Sequence, residues 1–224
     1  KLKMGGLLAV NLGSKCPPTF SILEWKPGRT KNRKPVVLVG KGVVYDTGGM
    51  SLKPTPNSMD MMKSDMAGAA TVVGTMMAAA LAQLPLHLIA LVPSTDNRPG
   101  HEAYVPGDVV TMYSGSTVEI LNTDAEGRLL LADALHYAKK YQPELVLDFA
   151  TLTGSAARAV GPEAICYMGT TDHQIKSEME ASGQAVYERL IEFPLWKEYG
   201  DYLKSNIADL KNLGGRSSGK ITAG

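Results

Sequence analysis

Short, almost wholly apolar runs at Val36–Val39, Leu86–Val92, Leu145–Ala150 and Ala164–Met168 constrain this chain more than any other feature. Runs of this length read as strands buried on both faces. Helix-length segments at Met66–Leu84, Leu129–Tyr141 and Asp172–Ile191 lie between or after them. Strands that alternate with helices predict an α/β domain on a mainly parallel sheet, whose ligands gather at the carboxyl ends of the strands. Ser114-Gly115, flanked by Val109–Tyr113 and Ser116–Ile120, predicts a two-residue hairpin turn inserted before Asn122.

Met66 to Thr95 carries no Asp, Glu, Lys or Arg, which raises the question of a membrane span. Ala, Gly, Thr and Gln dilute the stretch and Pro85 cuts it, so it reads as a buried helix followed by a buried strand. The charge balance, 23 Lys plus Arg against 22 Asp plus Glu, offers no footprint for nucleic acid or anionic lipid. Neither a nucleic-acid nor a membrane partner is expected. The basic loop from Pro27 to Pro35, with Arg29, Lys31, Arg33 and Lys34, reads as a solvated surface turn. Cys16 and Cys166 fit neither a Cys-x-x-Cys metal pair nor a disulfide framework, so the simplest compartment is a reducing, cytoplasmic one. Lys1 to Val10 starts like a signal peptide, but its apolar core is too short, and the expectation is a start in mid-domain.

Several chemical signatures fail on their details. No His-Glu-x-x-His occurs, and the histidines at 87, 101, 136 and 173 share no metal-binding spacing. Gly214 to Lys220 begins a phosphate-loop pattern, but Ile221 cannot supply its Mg²⁺-holding hydroxyl. Asp46-Thr47-Gly48 resembles an aspartic-protease triplet, a catalyst of all-β chains. A set of acids remains. Asp46 follows a strand in a loop with Gly40, Gly42, Gly48 and Gly49, where an ordinary turn residue is the alternative. Asp65 precedes the apolar helix, where an N-cap is the alternative, yet Ala67, Gly68, Ala69 and Ala70 are small enough for close backbone packing. Asp124 and Glu126 lie two apart and can reach one point, although Thr123-x-x-Glu126 also satisfies a capping box. Carboxylates converging at strand ends repel unless cations compensate, and oxygen ligands of this kind suit two divalent ions in a hydrolytic clamp. Lys41 and Lys53 flank the Asp46 loop, where a lysine can lose its proton to become a ligand or stay charged to polarise a carbonyl.

The blocks Val39 to Gly49, Lys53-Pro54, Met62 to Ala70 and Asn122 to Leu129 together resemble, in order, the leucyl aminopeptidase (cytosol aminopeptidase) family. The resemblance runs from Met4-Gly5-Gly6 to Gly215-Arg216. It implies a three-layer fold, a mainly parallel sheet flanked by helices, as an incomplete C-terminal catalytic domain. Residues 1–224 would then be a catalytic segment truncated at both ends, without the family's N-terminal domain. Ala67 stands where many members have Gly.

By the same resemblance, Lys41, Asp46, Asp65, Asp124 and Glu126 match ligands of two divalent ions, Zn²⁺ or Mn²⁺ first among the candidates. Lys53 and Arg128 match the catalytic lysine and arginine, the latter holding a bicarbonate that acts as general base. Met62, Thr151, Leu152 and Gly154 match substrate-binding positions. The implied activity is hydrolysis of the first peptide bond of a peptide, Leu and other apolar residues preferred, by a metal-activated water in a hexamer. The alternatives are a two-metal phosphoesterase and a non-catalytic assembly or DNA-associated subunit.

Overall fold

The computed structural model describes residues 2–214. In chain order its elements are α1 (Gly5–Asn11), β1 (Thr19–Trp25), β2 (Val36–Gly40), β3 (Gly42–Asp46), α2 (Ala67–Leu81), β4 (Leu88–Asn97), β5 (Val109–Thr111), β6 (Thr117–Glu119), α3 (Gly127–Ala138), β7 (Leu145–Phe149), α4 (Gly154–Val160), β8 (Ile165–Tyr167), α5 (His173–Ala185), β9 (Leu190–Glu192) and β10 (Leu210–Lys211). They fall into two compact units, with the break after Thr151 and residues 205–213 returning to the first.

The first unit has the expected α/β architecture. Its main sheet runs β1-β4-β2-β7, with β3 continuing the ladder along β4. Every pairing is parallel except that of β1, an antiparallel edge strand. Successive strand residues face opposite sides. Leu38, Leu88, Ala90 and Val92 pack with Val72, Met76 and Ala79 of α2. Val37, Val39, Ile89 and Leu91, also buried, therefore face the other side, where α1 and α3 lie against the sheet. A second cluster there joins Leu7 and Val10 to Val43, Leu129 and Leu130. This gives three layers.

The Ala-rich sequence of α2 favours helix, and the helix stops where Gln83 takes a positive φ of 50° just before Pro85. With the 3₁₀ turns before it, the run Met59–Leu81 is long and apolar enough by composition to cross a membrane. The helix expected to be buried is buried on one face only: Val72, Met76 and Ala79 pack with the sheet, while Val73, Met77 and Leu81 are exposed.

Local expectations needed correction. The strand expected over Leu86–Val92 begins at Leu88 and runs on to Asn97. Pro93, which has no N–H to give a ladder, falls where the parallel partner of β4 changes from β2 to β3. The hairpin strands are shorter than expected and the connection is wider than Ser114-Gly115, closed by Met112 N–H to Ser116 O at 2.8 Å with Gly115 at φ 91°. The segment Ala164–Met168 is not a strand of the main sheet. In the second unit, Ile165–Tyr167 pairs in parallel with Leu190–Glu192, so the helix expected over Asp172–Ile191 ends at Ala185 and gives way to a strand. Asp172 caps that helix by accepting from Ile175 N–H at 2.9 Å. The rejected phosphate-loop pattern and Gly215-Arg216 lie outside the described residues, apart from Gly214.

One buried carboxylate fastens the α1 and α3 layer to the hairpin. Asp133 accepts from Leu7 N–H at 3.1 Å and from Tyr113 N–H at 2.8 Å. Burial pushes its pKa up while these backbone donors pull it down. Asp133→Ala is expected to destabilise the protein by roughly 2–3 kcal/mol, because charge-assisted bonds are lost and buried N–H groups are left unpaired. Urea unfolding should show a lower midpoint at an unchanged slope.

Candidate metal centre

The carboxyl ends of β3 and β4, the start of α2 and the loop before α3 bring the candidate residues together. Between β2 and β3 the chain leaves the ladder for one residue, Lys41. Its N–H donates to Phe149 O and its carbonyl accepts from Ala69 N–H, both at 2.9 Å. The side chain is thereby sent into the cluster, 2% exposed, with Nζ 2.9 Å from Asp65 Oδ1, 2.8 Å from Glu126 Oε1 and 3.1 Å from Thr151 O. The contacts to Asp65 and Thr151 are hydrogen bonds, and that to Glu126 is an ion pair. Burial opposes its charge, but Glu126 and Asp65 outweigh burial and raise the pKa. To serve as a nitrogen ligand, Lys41 would have to surrender a proton and one of these contacts.

Asp46 ends β3. Its Oδ1 accepts from Gly48 N–H at 2.8 Å, the expected turn bond, and also from Asn97 Nδ2 at 2.8 Å. Its Oδ2 meets Lys53 Nζ at 3.0 Å, and the same lysine lies 2.5 Å from Asp124 Oδ1. Burial opposes the Lys53 charge, but Asp124 and Asp46 outweigh it and its pKa rises. Gly48 has φ 87°, and a Cβ there would stand 2.4 Å from Ser51 O and 2.9 Å from Asp124 Oδ1. The Asp46 loop can fold back onto the Asp124 loop only because this residue is glycine.

Neither capping alternative holds. Asp65 precedes the helix cap at Met66, and its Oδ1 accepts from Thr151 Oγ1 at 2.7 Å besides meeting Lys41. Glu126 makes no side-chain cap, and Thr123 Oγ1 instead donates to Gly48 O at 2.6 Å. Asp46, Asp124 and Glu126 each offer an oxygen within 4.8 Å of the others, the spacing of groups that can share a cation. Burial pushes the carboxyl groups of Asp65, Asp124 and Glu126 up, with lysines pulling each back. Asp65 Oδ2 is buried with no hydrogen-bond partner among the described residues. Four acids facing two lysines, with a buried carboxylate oxygen to spare, fit divalent cations.

Arg128 lies one residue inside α3. Burial lowers its pKa, Glu126 raises it, and its Nε and Nη1 are buried without partners among the described residues. Unused donors of this kind suit a small anion. Met62 sits half-buried in the 3₁₀ turn Met59–Ser64, two positions before Ser64 and three before Asp65. Thr151 touches both Lys41 and Asp65. Leu152 and Gly154 belong to the second unit, where Gly154 opens α4 behind the cap Thr153. Ala67 has ordinary helical backbone, so nothing there demands glycine.

Asn97, Tyr104 and Ser51 escaped sequence reasoning, and Thr123 was read only as part of a capping box. Thr123 O accepts from Asn97 Nδ2 at 3.0 Å and from Tyr104 OH at 2.9 Å, and Thr123 Oγ1 accepts from Ser51 N–H at 2.7 Å. The available signal was a polar residue at the carboxyl end of a buried strand, which Asn97 is.

The family model described as the cytosol aminopeptidase family, catalytic domain, matches residues 1–224. The chain belongs to that family. Relatives described as probable cytosol aminopeptidases include those of Chlorobaculum tepidum, 53% identical over the whole chain, and of Azoarcus sp., 52% identical over the whole chain. The chain covers 44% of each. The crystal structure of cytosol aminopeptidase from Coxiella burnetii superposes with a TM-score of 0.90 at 40% identity, over 99% of this chain and 48% of that one. The chain thus spans somewhat under half the length of the cytosol aminopeptidases it matches.

Gly127 tests the packing of the centre. A Cβ there would stand 2.8 Å from Lys41 Cε and 2.9 Å from its Nζ, at the first position of a helix where alanine is otherwise favourable. Gly127→Ala should keep the fold by circular dichroism but displace the Lys41 ammonium. Titration calorimetry with Mn²⁺ should then report binding weaker on the order of tenfold.

Proposed function

We propose that this chain carries the two-metal centre of an aminopeptidase that removes the N-terminal residue from peptides, with Leu and other apolar residues preferred. The observation that carries the reading is the convergence of Asp46, Asp65, Asp124 and Glu126 on Lys41 and Lys53, in a chain of the cytosol aminopeptidase family. In this reading residues 1–224 are part of the catalytic domain.

Lys41, Asp46, Asp65, Asp124 and Glu126 would hold two divalent ions, Zn²⁺ or Mn²⁺, both of which carboxylates and an amine accept. What the ions supply when bound is a water activated near neutral pH and polarisation of the scissile carbonyl. Lys53, kept charged by its acidic neighbours, stabilises the developing oxyanion. Arg128, whose Nε and Nη1 are buried without partners among the described residues, would hold a bicarbonate, which would supply a general base. Met62 and Thr151 bind substrate near Asp65. Leu152 and Gly154, in the second unit, are given a substrate-binding role on family resemblance alone. A cytoplasmic homohexamer acting on peptides completes the reading, supported by the relatives' names and by family resemblance.

The full-length gene product should bind two divalent ions per chain and hydrolyse leucine amide while leaving p-nitrophenyl phosphate intact. Lys53→Ala should lower kcat by roughly 10²- to 10³-fold with metal content retained, as loss of an oxyanion donor does. Fewer than two ions per chain, together with a Glu126→Ala variant as active as the parent, would overturn the proposal. Cleavage of the phosphate ester would point to the phosphoesterase instead.

A further inference from the structure

We infer that Asn97 is a positioning residue for the metal centre, its single amide tying the Asp46 carboxylate to the loop that carries Asp124 and Glu126. The inference rests on the proposed two-metal reading and adds to it a residue outside the ligand set.

Asn97 closes β4 with 0% exposure. Its Nδ2 has two hydrogens and two acceptors: Asp46 Oδ1 at 2.8 Å and Thr123 O at 3.0 Å. Its own carbonyl accepts from Thr47 N–H and Thr47 Oγ1, both at 2.9 Å, so backbone and side chain grip the Asp46 loop from both sides. The amide orientation follows from these partners. A flipped amide would set its oxygen against two acceptors, whereas in the present orientation Oδ1 is buried with no partner among the described residues. Gly49 leaves the room this needs, since a Cβ there would stand 2.8 Å from that oxygen.

The consequence is geometric. Asp46 and Thr123 come from segments far apart in sequence, and Thr123 immediately precedes Asp124. One amide that donates to both fixes the separation of the two loops and turns the Asp46 carboxylate so that Oδ2 faces the cluster, where it meets Lys53. Groups that orient ligands in this way typically change metal affinity by one to two orders of magnitude when removed. Tyr104 supplies a useful contrast. Its hydroxyl donates to the same Thr123 carbonyl. Among the described residues no hydrogen bond joins it to Asp46.

The test uses Mn²⁺ binding by titration calorimetry on the full-length gene product, alongside leucine amide hydrolysis at rising Mn²⁺. Asn97→Leu, close in shape but without donors, should bind Mn²⁺ roughly 10- to 100-fold more weakly. Its activity should climb back as Mn²⁺ is raised, a recovery that simple loss of fold would not show. Tyr104→Phe should lose less affinity than Asn97→Leu. A parent that binds two ions while Asn97→Leu binds them as tightly overturns this inference alone. Equal losses in the two variants also overturn it, because the only bond type they share is the one to Thr123 O. A parent that binds no ions overturns the proposed function and the inference with it. Should Asn97→Leu fail to fold, Asn97→Ser carries the same test, and unchanged affinity there is equally decisive.

Discussion

Four carboxylates held close together in a largely dry site set the terms for the rest of this molecule. Asp46, Asp65, Asp124 and Glu126 gain nothing from one another's company, and burial pushes Asp65, Asp124 and Glu126 toward their neutral forms. Such an arrangement persists in a folded protein only if the cost is offset locally. Two lysines provide part of the offset, one almost fully buried and one more exposed. The remaining deficit of positive charge is the physical argument for cations, and it does not depend on the family resemblance.

The fold delivers these side chains by interrupting itself at one place. The parallel ladder passes from β2 to β3 along β4, and Lys41 occupies the gap. Phe149 and Ala69 take up the backbone groups of Lys41 that the ladder drops, which binds the end of β7 and the start of α2 to the same point. Small residues make this approach possible. A Cβ on Gly68 would lie 2.0 Å from Phe149 O, so the N-terminal end of α2 can reach the sheet only with glycine there. Asp65 is set just ahead of that contact, and its position follows from it.

What could be read from sequence divides along physical lines. The buried strands β2 and β4 and the Ala-rich helix α2 were legible because apolar run length and helix propensity act locally, whereas β7, also expected to be buried on both faces, is half-buried. The acids were legible because their chemistry demands particular residue types near strand ends. The capping readings of Asp65 and Thr123-x-x-Glu126 were sound local physics that tertiary contacts overrode: Lys41 and Thr151 claim Asp65, while Gly48 and Ser51 claim Thr123. The segment after Asp172 misled because its helix and the strand Leu190–Glu192 are continuous in pattern, with no glycine or proline between them. Asn97 and Tyr104 are ordinary polar residues whose partners lie 51, 26 and 19 positions away, and no local rule reaches that far.

The two lysines show how burial assigns roles that composition leaves open. Lys41 is 2% exposed, hydrogen-bonded to Asp65 and Thr151 and ion-paired with Glu126, so it faces inward. Lys53 is 15% exposed and spans Asp46 and Asp124, whose oxygens are among those the proposed ions would use. Were cations to take up those oxygens, Lys53 would lose contacts while keeping its charge, which would free its ammonium to face a carbonyl as proposed. Lys41 has no such freedom, because the Thr151 carbonyl and the packing of Gly127 against its side chain hold it in place. The two lysines thus differ in accessibility and in partner sharing, and that difference is the physical basis for proposing different roles for them.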